Sequence, residues 1–379
     1  MKTFYPTLPS RRIEFLDMVR AIAIIGVLFS NIAIFSGFVF TPFTQLNNLH
    51  LSSLNMWLNK LFVIFMFGKA YPMLMLLFGV GLYIISNKIK EKGFYFFFIK
   101  RMFILLLIGL LHLIIWAGDV VSVYALISFL TIFFLRLKPK YILLLAIMFL
   151  IINFGVDYFQ IISTSVIKNS TPQQAILQIN GIEPNYIINQ VQNKGYSGLR
   201  YITDLQIGYL WTWERYFRVI PSTLMMFLLG AYLYSSGFIT QKIHKLKYTI
   251  LFFIIGAVAM YLSFYVWANF KVLSNLFISL FYISILKASL KYKFWNKLFK
   301  KLVPLGGMTL TVYLLQSIIC ILIFYGIGFG FFSKMPLYFV YATAIVILIL
   351  LNEFCKFWLK NHKYGPVEYI WRKLSYKKI

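Results

Sequence analysis

His112 and Asp119 stand seven residues apart in KRMFILLLIGLLHLIIWAGDVVSVYA (100–125), a stretch with almost no other polar side chain. Imidazole is the side chain best suited to proton transfer near neutral pH. A carboxylate one hairpin turn away orients such a ring or caps the helix that follows. Arg101 precedes His112 by eleven residues, about 16 Å along a helix. In an apolar layer about 30 Å thick, that places His112 near the midplane. The competing reading is a core histidine bonded to a backbone carbonyl.

A second group lies in RIEFLDMVRAIAIIGVLFSNI (12–32), with Glu14, Asp17, Arg20 and Asn31. Asp17 and Arg20 are three apart and pair on one helix face. Asn31 returns to that face about 21 Å further along. The stripe then carries a charge pair at one edge and an amide near the other, either as a site or as packing polarity. A third group is Glu214, Arg215 and Arg218 in LWTWERYFR (210–218). Two arginines suit a phosphate or carboxylate, and equally a solvated ion-pair cluster. Lys69, Asp157, Asn352 and Glu353 complete the polar residues set among apolar ones, with Asn153 on the same side as Asp157, and each such residue asks for an explanation. Gly306, Gly307, Thr309, Thr311, Tyr313, Gln316 and Ser317 read as close helix packing. The four histidines form no cluster, and Cys320 and Cys355 have no ligand spacing, so no metal is expected.

These side chains need elements to position them. Of the 379 residues, 61% are hydrophobic and only 12% charged, against roughly half and a quarter in soluble domains. Mean hydropathy is +0.80. The expected fold is all-α, a single polytopic membrane domain over 1–379 embedded in a lipid bilayer. About ten spans are expected from the length rule, at 18–38, 61–86, 102–117, 120–135, 141–163, 219–236, 249–268, 272–290, 303–327 and 337–359. Gly118 and Asp119 alone separate the third and fourth, which implies a tight hairpin. Gly68, Lys69 and Pro72 interrupt the second, which implies a broken helix. The net charge of +27 is not a nucleic-acid stripe. Its lysines and arginines cluster between apolar runs on one face, as in cytoplasmic loops. Both termini are therefore expected in the cytoplasm, with the chain multi-pass in the cell membrane. Residues 164–218 form a long polar extracytoplasmic loop without clear periodicity, and 360–379 a basic tail suited to a short interfacial helix. No cleavable signal peptide, internal repeat or nucleotide-binding fingerprint is evident.

The opening RIEFLDMVRAIAIIGVLFSNI resembles the start of the YeiB-type family of bacterial membrane proteins. FGKAYPMLMLLFGVG (67–81), LLHLIIWAGDVVSVYA (110–125), GGMTLTVYLLQSIIC (306–320) and YGPVEYIWRKLSY (364–376) continue the likeness in order along the chain. Ala21 and Val312 depart from the family pattern, which has glycine and asparagine there. The family is similar to a wider superfamily of transmembrane acyltransferases, which includes the lysosomal heparan glucosamine acetyltransferase. That resemblance implies transfer of an acyl group from cytosolic acyl-CoA to an extracytoplasmic acceptor through a membrane histidine, here His112 by position.

On this reading His112 is general base or transient acyl carrier, Asp119 orients it and Asn31 stabilises the developing oxyanion. Asp17, Arg20, Lys69 and Arg101 contact substrate, with Lys100 and Arg101 holding the CoA phosphates. Arg215 and Arg218, beside Trp211 and Trp213, meet a cell-envelope acceptor. The alternative is a transporter or exporter of a small amphiphile, with the same charges lining its path. A membrane assembly partner without activity is the third.

Overall fold

Helix α1 (Glu14–Phe35) has 22 residues, a rod of about 33 Å, and no proline interrupts it. Ala21, Ala23, Ile24, Val27 and Ile32 along it are completely buried. A helix apolar on every side has to lie among other helices, and α1 packs into two clusters. Ala21, Ile24 and Val27 belong with Val312, Cys320, Val340 and Ala344. Leu16, Val19 and Ala23 belong with Leu76, Met225, Met226 and Leu280.

The computed structural model describes residues 13–40, 52–66, 68–88, 93–158, 172–210, 212–240, 246–267 and 269–376, without the side chains at 52, 63, 157–158, 172–175 and 213–215. After α1 come α2 (Ser52–Phe65), α3 (Ala70–Lys88), α4 (Phe94–Leu113), α5 (Val121–Thr131) and α6 (Pro139–Tyr158). Then follow α7 (Pro172–Ile179), α8 (Pro184–Asn193), α9 (Gly195–Leu210), α10 (Trp213–Ser235), α11 (Leu246–Tyr265) and α12 (Phe270–Ser289). The chain ends with α13 (Lys293–Lys300), α14 (Val303–Gly307), α15 (Thr309–Phe324), α16 (Leu337–Asn361) and α17 (Pro366–Ser375). Every regular element among the described residues is helical. By length and composition, eight of them suffice to cross a membrane: α1, α3, α4, α6, α10, α11, α12 and α16. The shorter apolar helices α5 and α15 bring the set to the ten expected segments. The chain is a polytopic helical bundle. Its outside is apolar as well: Ile151 is 65% and Leu350 63% exposed, surface that lipid covers and water does not.

Three segments are broken where the sequence places small or turn-forming residues. Segment 61–86 divides into α2 and α3 around Gly68, whose φ is +77°, a backbone region glycine enters freely. Pro72 falls in the first turn of α3, where no helical N–H is needed. The exposed carbonyls of the break find donors on α12: Ser279 Oγ donates to the Lys69 carbonyl at 2.8 Å, and the Tyr282 hydroxyl donates to that of Phe65. Segment 303–327 divides into α14 and α15 at Met308, where φ is −119° and ψ 33°. The third break is the turn between α4 and α5.

The loop at 164–218 corrects an expectation. Its described part is not irregular but forms α7, α8 and α9. Each helix is short and buries a narrow stripe, including Ile176, Leu177, Ile187, Val191, Leu199 and Ile202. The eight and ten residues of α7 and α8 give too few repeats for a period to stand out; α9, with 16, is long enough to show one. The segment is stitched to the bundle: the Gly326 N–H donates to the Val191 carbonyl at 2.9 Å, and Gln192 Nε2 donates to that of Phe332 at 2.5 Å. The closing WERYFR belongs to α10, while Trp211 lies outside the described residues.

Backbones approach closely where side chains are absent. A Cβ at Gly79 would strike the Phe227 carbonyl, and one at Gly230 the Leu76 carbonyl. Helices α3 and α10 thus touch through reciprocal glycines, the small-residue packing of apolar bundles. Gly306 meets the Asp17 carbonyl in the same way. Gly306→Ala is expected to cost about 1–3 kcal/mol through overpacking, lowering the thermal midpoint of the purified protein. Gly155→Ala, inside α6 with nothing within 4 Å of the added carbon, is expected to hold or raise it, since alanine is the better helix former.

Candidate functional site

His112 occupies the last turn of α4, which ends at Leu113. The N–H groups of Ile115 and Trp116 both donate to its carbonyl at 3.0 Å, so the chain turns directly over it. The expected segment 102–117 is therefore shifted towards the N-terminus, and His112 stands at a helix end instead of mid-helix. Asp119 supplies the reason. One of its carboxylate oxygens accepts the Ser122 N–H at 2.7 Å and caps α5. The other lies 2.8 Å from His112 Nδ1. Gly109 lets the two helices meet, since a Cβ there would strike the Ser122 backbone.

Both side chains are enclosed, with His112 2% and Asp119 0% exposed. A carboxylate is an acceptor on both oxygens, so in the neutral imidazole Nδ1 carries the proton and Nε2 the lone pair. Among the described residues Nε2 is buried without a hydrogen-bond partner. The Tyr313 ring stands against the imidazole, centroids 5.0 Å apart and edge to face. Its hydroxyl accepts the Val120 N–H at 3.2 Å and donates to the Gly118 carbonyl at 3.4 Å. Tyr313 also lies within electrostatic reach of Asp119, Tyr71 and Tyr124.

Asn31 joins this neighbourhood through Tyr71, whose hydroxyl donates to its Oδ1 at 2.5 Å. The Tyr124 hydroxyl in turn donates to the Tyr71 carbonyl at 3.4 Å. Arg101 is placed elsewhere. Its guanidinium lies 3.8 Å over the Trp371 ring and 5.5 Å from that of Tyr376. Trp371 Nε1 donates to its carbonyl at 2.9 Å. Stacking on aromatic faces accounts for a buried guanidinium, and α17 is what covers it. Asp17 and Arg20 make the expected pair, at 2.6 Å. Lys69 is buried at the α2–α3 break, close to Lys271. Arg218 lies on α10, its carbonyl accepting Asn153 Nδ2 at 3.2 Å. The side chains of Arg215, Trp213 and Asp157 lie outside the described residues. His112, Asp119 and Asn31 are thus brought into one region, while Asp17, Arg20 and Arg101 are not part of the hairpin turn.

Sequence reasoning did not give Tyr71, Tyr124, Trp116 or Ser122 a part in the site, and it read Tyr313 as packing. Trp116, one helical turn after His112, was the readable one. The tyrosines are three of 26 and carry no local signal. Glu368 was also missed. It accepts the N–H groups of Leu310 at 2.7 Å and Thr311 at 3.1 Å and the Thr311 hydroxyl at 2.5 Å, so α17 caps the start of α15.

Fold and site together define a polytopic helical membrane protein with an enclosed histidine–aspartate pair. Residues 233–378 match a family described as a protein of unknown function (DUF418). Along nearly its whole length the chain is YeiB-like. It is 28% identical to the uncharacterized protein YxaH of Bacillus subtilis (strain 168), over 99% of this chain and 97% of the relative. It is 26% identical to the uncharacterized protein YeiB of Escherichia coli (strain K12), over 95% of each. An uncharacterized 39.9 kDa protein from the amylase 3' region of Bacillus acidopullulyticus is 23% identical, over 98% of this chain and 96% of its own. No solved structure matches.

Removing the Glu368 cap uncovers two buried N–H groups. Glu368→Ala is expected to cost about 1–3 kcal/mol and to speed amide hydrogen exchange at Leu310 and Thr311. Glu368→Gln, which keeps one acceptor oxygen, is expected to fall between that variant and the native chain.

Proposed function

We propose that this chain is a membrane-embedded acyltransferase, moving an acyl group from an acyl-CoA donor on the cytoplasmic side to an extracytoplasmic acceptor. One observation carries the reading: His112 Nε2 is buried and unpartnered among the described residues, while Nδ1 lies 2.8 Å from an Asp119 carboxylate oxygen. A neutral imidazole with a fixed Nδ1 proton and a free Nε2 lone pair is the resting state of a general base. Burial keeps water from competing for a thioester. Tyr313, whose ring stands against the imidazole, is the side chain that yields when substrate enters.

The remaining roles follow the charge pattern. Lys100, Arg101 and Lys373 lie on or beneath the α4–α17 face and give an anionic donor its counter-charge. Arg215 and Arg218, at the start of α10, receive the acceptor. Arg200 of α9 donates to the Ile114 carbonyl at 3.0 Å, so the folded α7–α9 segment reaches the turn that holds the dyad. The termini and the basic loops then lie in the cytoplasm, with the protein in the cell membrane.

Purified protein in lipid nanodiscs, supplied with acyl-CoA, is expected to release free thiol. His112→Ala is expected to lower that rate by about 10²–10⁴-fold in protein that is still folded, with a lower thermal midpoint because Asp119 loses its buried partner. Asp119→Asn, which frees the imidazole to take the other tautomer, is expected to lower it as well. A folded His112→Ala protein with full turnover would sink the proposal. Flux of an amphiphile across liposomes, with no thioester turnover, would put a transporter in its place.

A further inference from the structure

The turn between α4 and α5 gathers polar atoms that the protein encloses and does not satisfy: His112 Nε2, Trp116 Nε1 and Ser122 Oγ. Buried donors and acceptors are ordinarily paired, so such a group around one turn calls for a ligand. Two of these atoms are complementary. Nε2 of the neutral histidine accepts, and the indole N–H only donates. Trp116 is held firmly. Its ring stacks on Phe35 with centroids 3.8 Å apart and planes at 27°. Gly118 keeps the nitrogen edge clear, because a Cβ there would lie 2.7 Å from Nε1. The Gly118 carbonyl, in turn, accepts the hydroxyl of Tyr313, the residue whose ring meets His112. Asn31 accepts the Tyr71 hydroxyl on its Oδ1, which fixes the amide without using its N–H groups.

We infer that the Trp116 indole N–H is the oxyanion donor of the site, binding the thioester carbonyl oxygen as it gains charge. The inference rests on the acyl-transfer reading above. In the step, Nε2 takes the proton of an acceptor hydroxyl as its oxygen bonds to the carbonyl carbon. The carbonyl electron pair moves onto the oxygen facing Nε1. When the pair returns, the carbon–sulfur bond breaks and the departing thiolate takes the proton from His112. The products are an ester and free CoA thiol, with nothing oxidised or reduced. A donor aimed where charge develops stabilises the transition state more than the bound substrate.

Trp116→Phe keeps an aromatic ring on Phe35 and removes the N–H. In nanodiscs it is expected to lower kcat for thioester cleavage by about 10²–10³-fold, with KM for acyl-CoA and the pH profile unchanged. Gly118→Ala keeps the indole but presses a methyl group on Nε1, and is expected to lower kcat in the same manner. A folded Trp116→Phe protein with native kcat overturns the inference. If that variant does not fold, native kcat in Gly118→Ala overturns it. Wild-type protein without any turnover removes the acyl-transfer reading itself, a result distinct from active wild type beside an active Trp116→Phe.

Discussion

A helix that stops inside an apolar bundle frees backbone N–H and C=O groups that have no water to turn to, and side chains from other helices must take them up. Each of the three breaks obeys this. Ser279 and Tyr282 of α12 serve the carbonyls between α2 and α3. Glu368 of α17 serves the N–H groups that open α15. Asp119, Tyr313 and Arg200 serve the turn between α4 and α5. Buried polar side chains stand at all three places: Lys69 and Ser279 at the first, Thr311 and Glu368 at the second, His112, Asp119 and Ser122 at the third.

The hairpin turn differs from the other two breaks in what is left over. At the start of α15 the carboxylate and the amides it meets are matched. At the hairpin, Asp119 divides its oxygens between a cap and a histidine, and the histidine retains an open nitrogen. The same carboxylate therefore terminates one piece of secondary structure and fixes the tautomer of a titratable ring. Structural need and chemical readiness come from one residue, which is why the functional reading settles here and not on the Asp17–Arg20 pair, whose charges answer each other.

Much of this was legible from the chain alone, and the reasons differ from part to part. Apolar length located the eight helices long enough to cross, since the bilayer demands about 20 residues whatever packs beside them. Gly118 and Asp119 announced the hairpin, and Gly68 with Pro72 the divided second segment, because turn chemistry is local. The His112–Asp119 pairing was readable for the same reason, both residues lying on one turn. Tyr313 was not readable as a member of the site, since it comes from 193 residues beyond Val120 and no local pattern marks it. Arg101 was readable as a cation of the basic face but not as a buried partner of Trp371, which α17 delivers from far along the chain. Of the helices at 172–210, the first two escaped notice because eight and ten residues are too few to show a period, while the 16-residue third is long enough to show one and was missed.

The reciprocal glycines of α3 and α10 carry a mechanical consequence. Where Gly79 and Gly230 bring main chain against main chain, no layer of rotatable side chains remains through which the two rods can slide. Shear is blocked along that seam, and α1, wedged beside it, shares the stiffness. The α4–α5 hairpin is likewise fused at Gly109, so it bends as one lever and not as two. Its tip is pinned to the same frame at three points, by the Arg200, Tyr313 and Phe35–Trp116 contacts. The indole beside the dyad is therefore carried by the frame and moves only as the frame does.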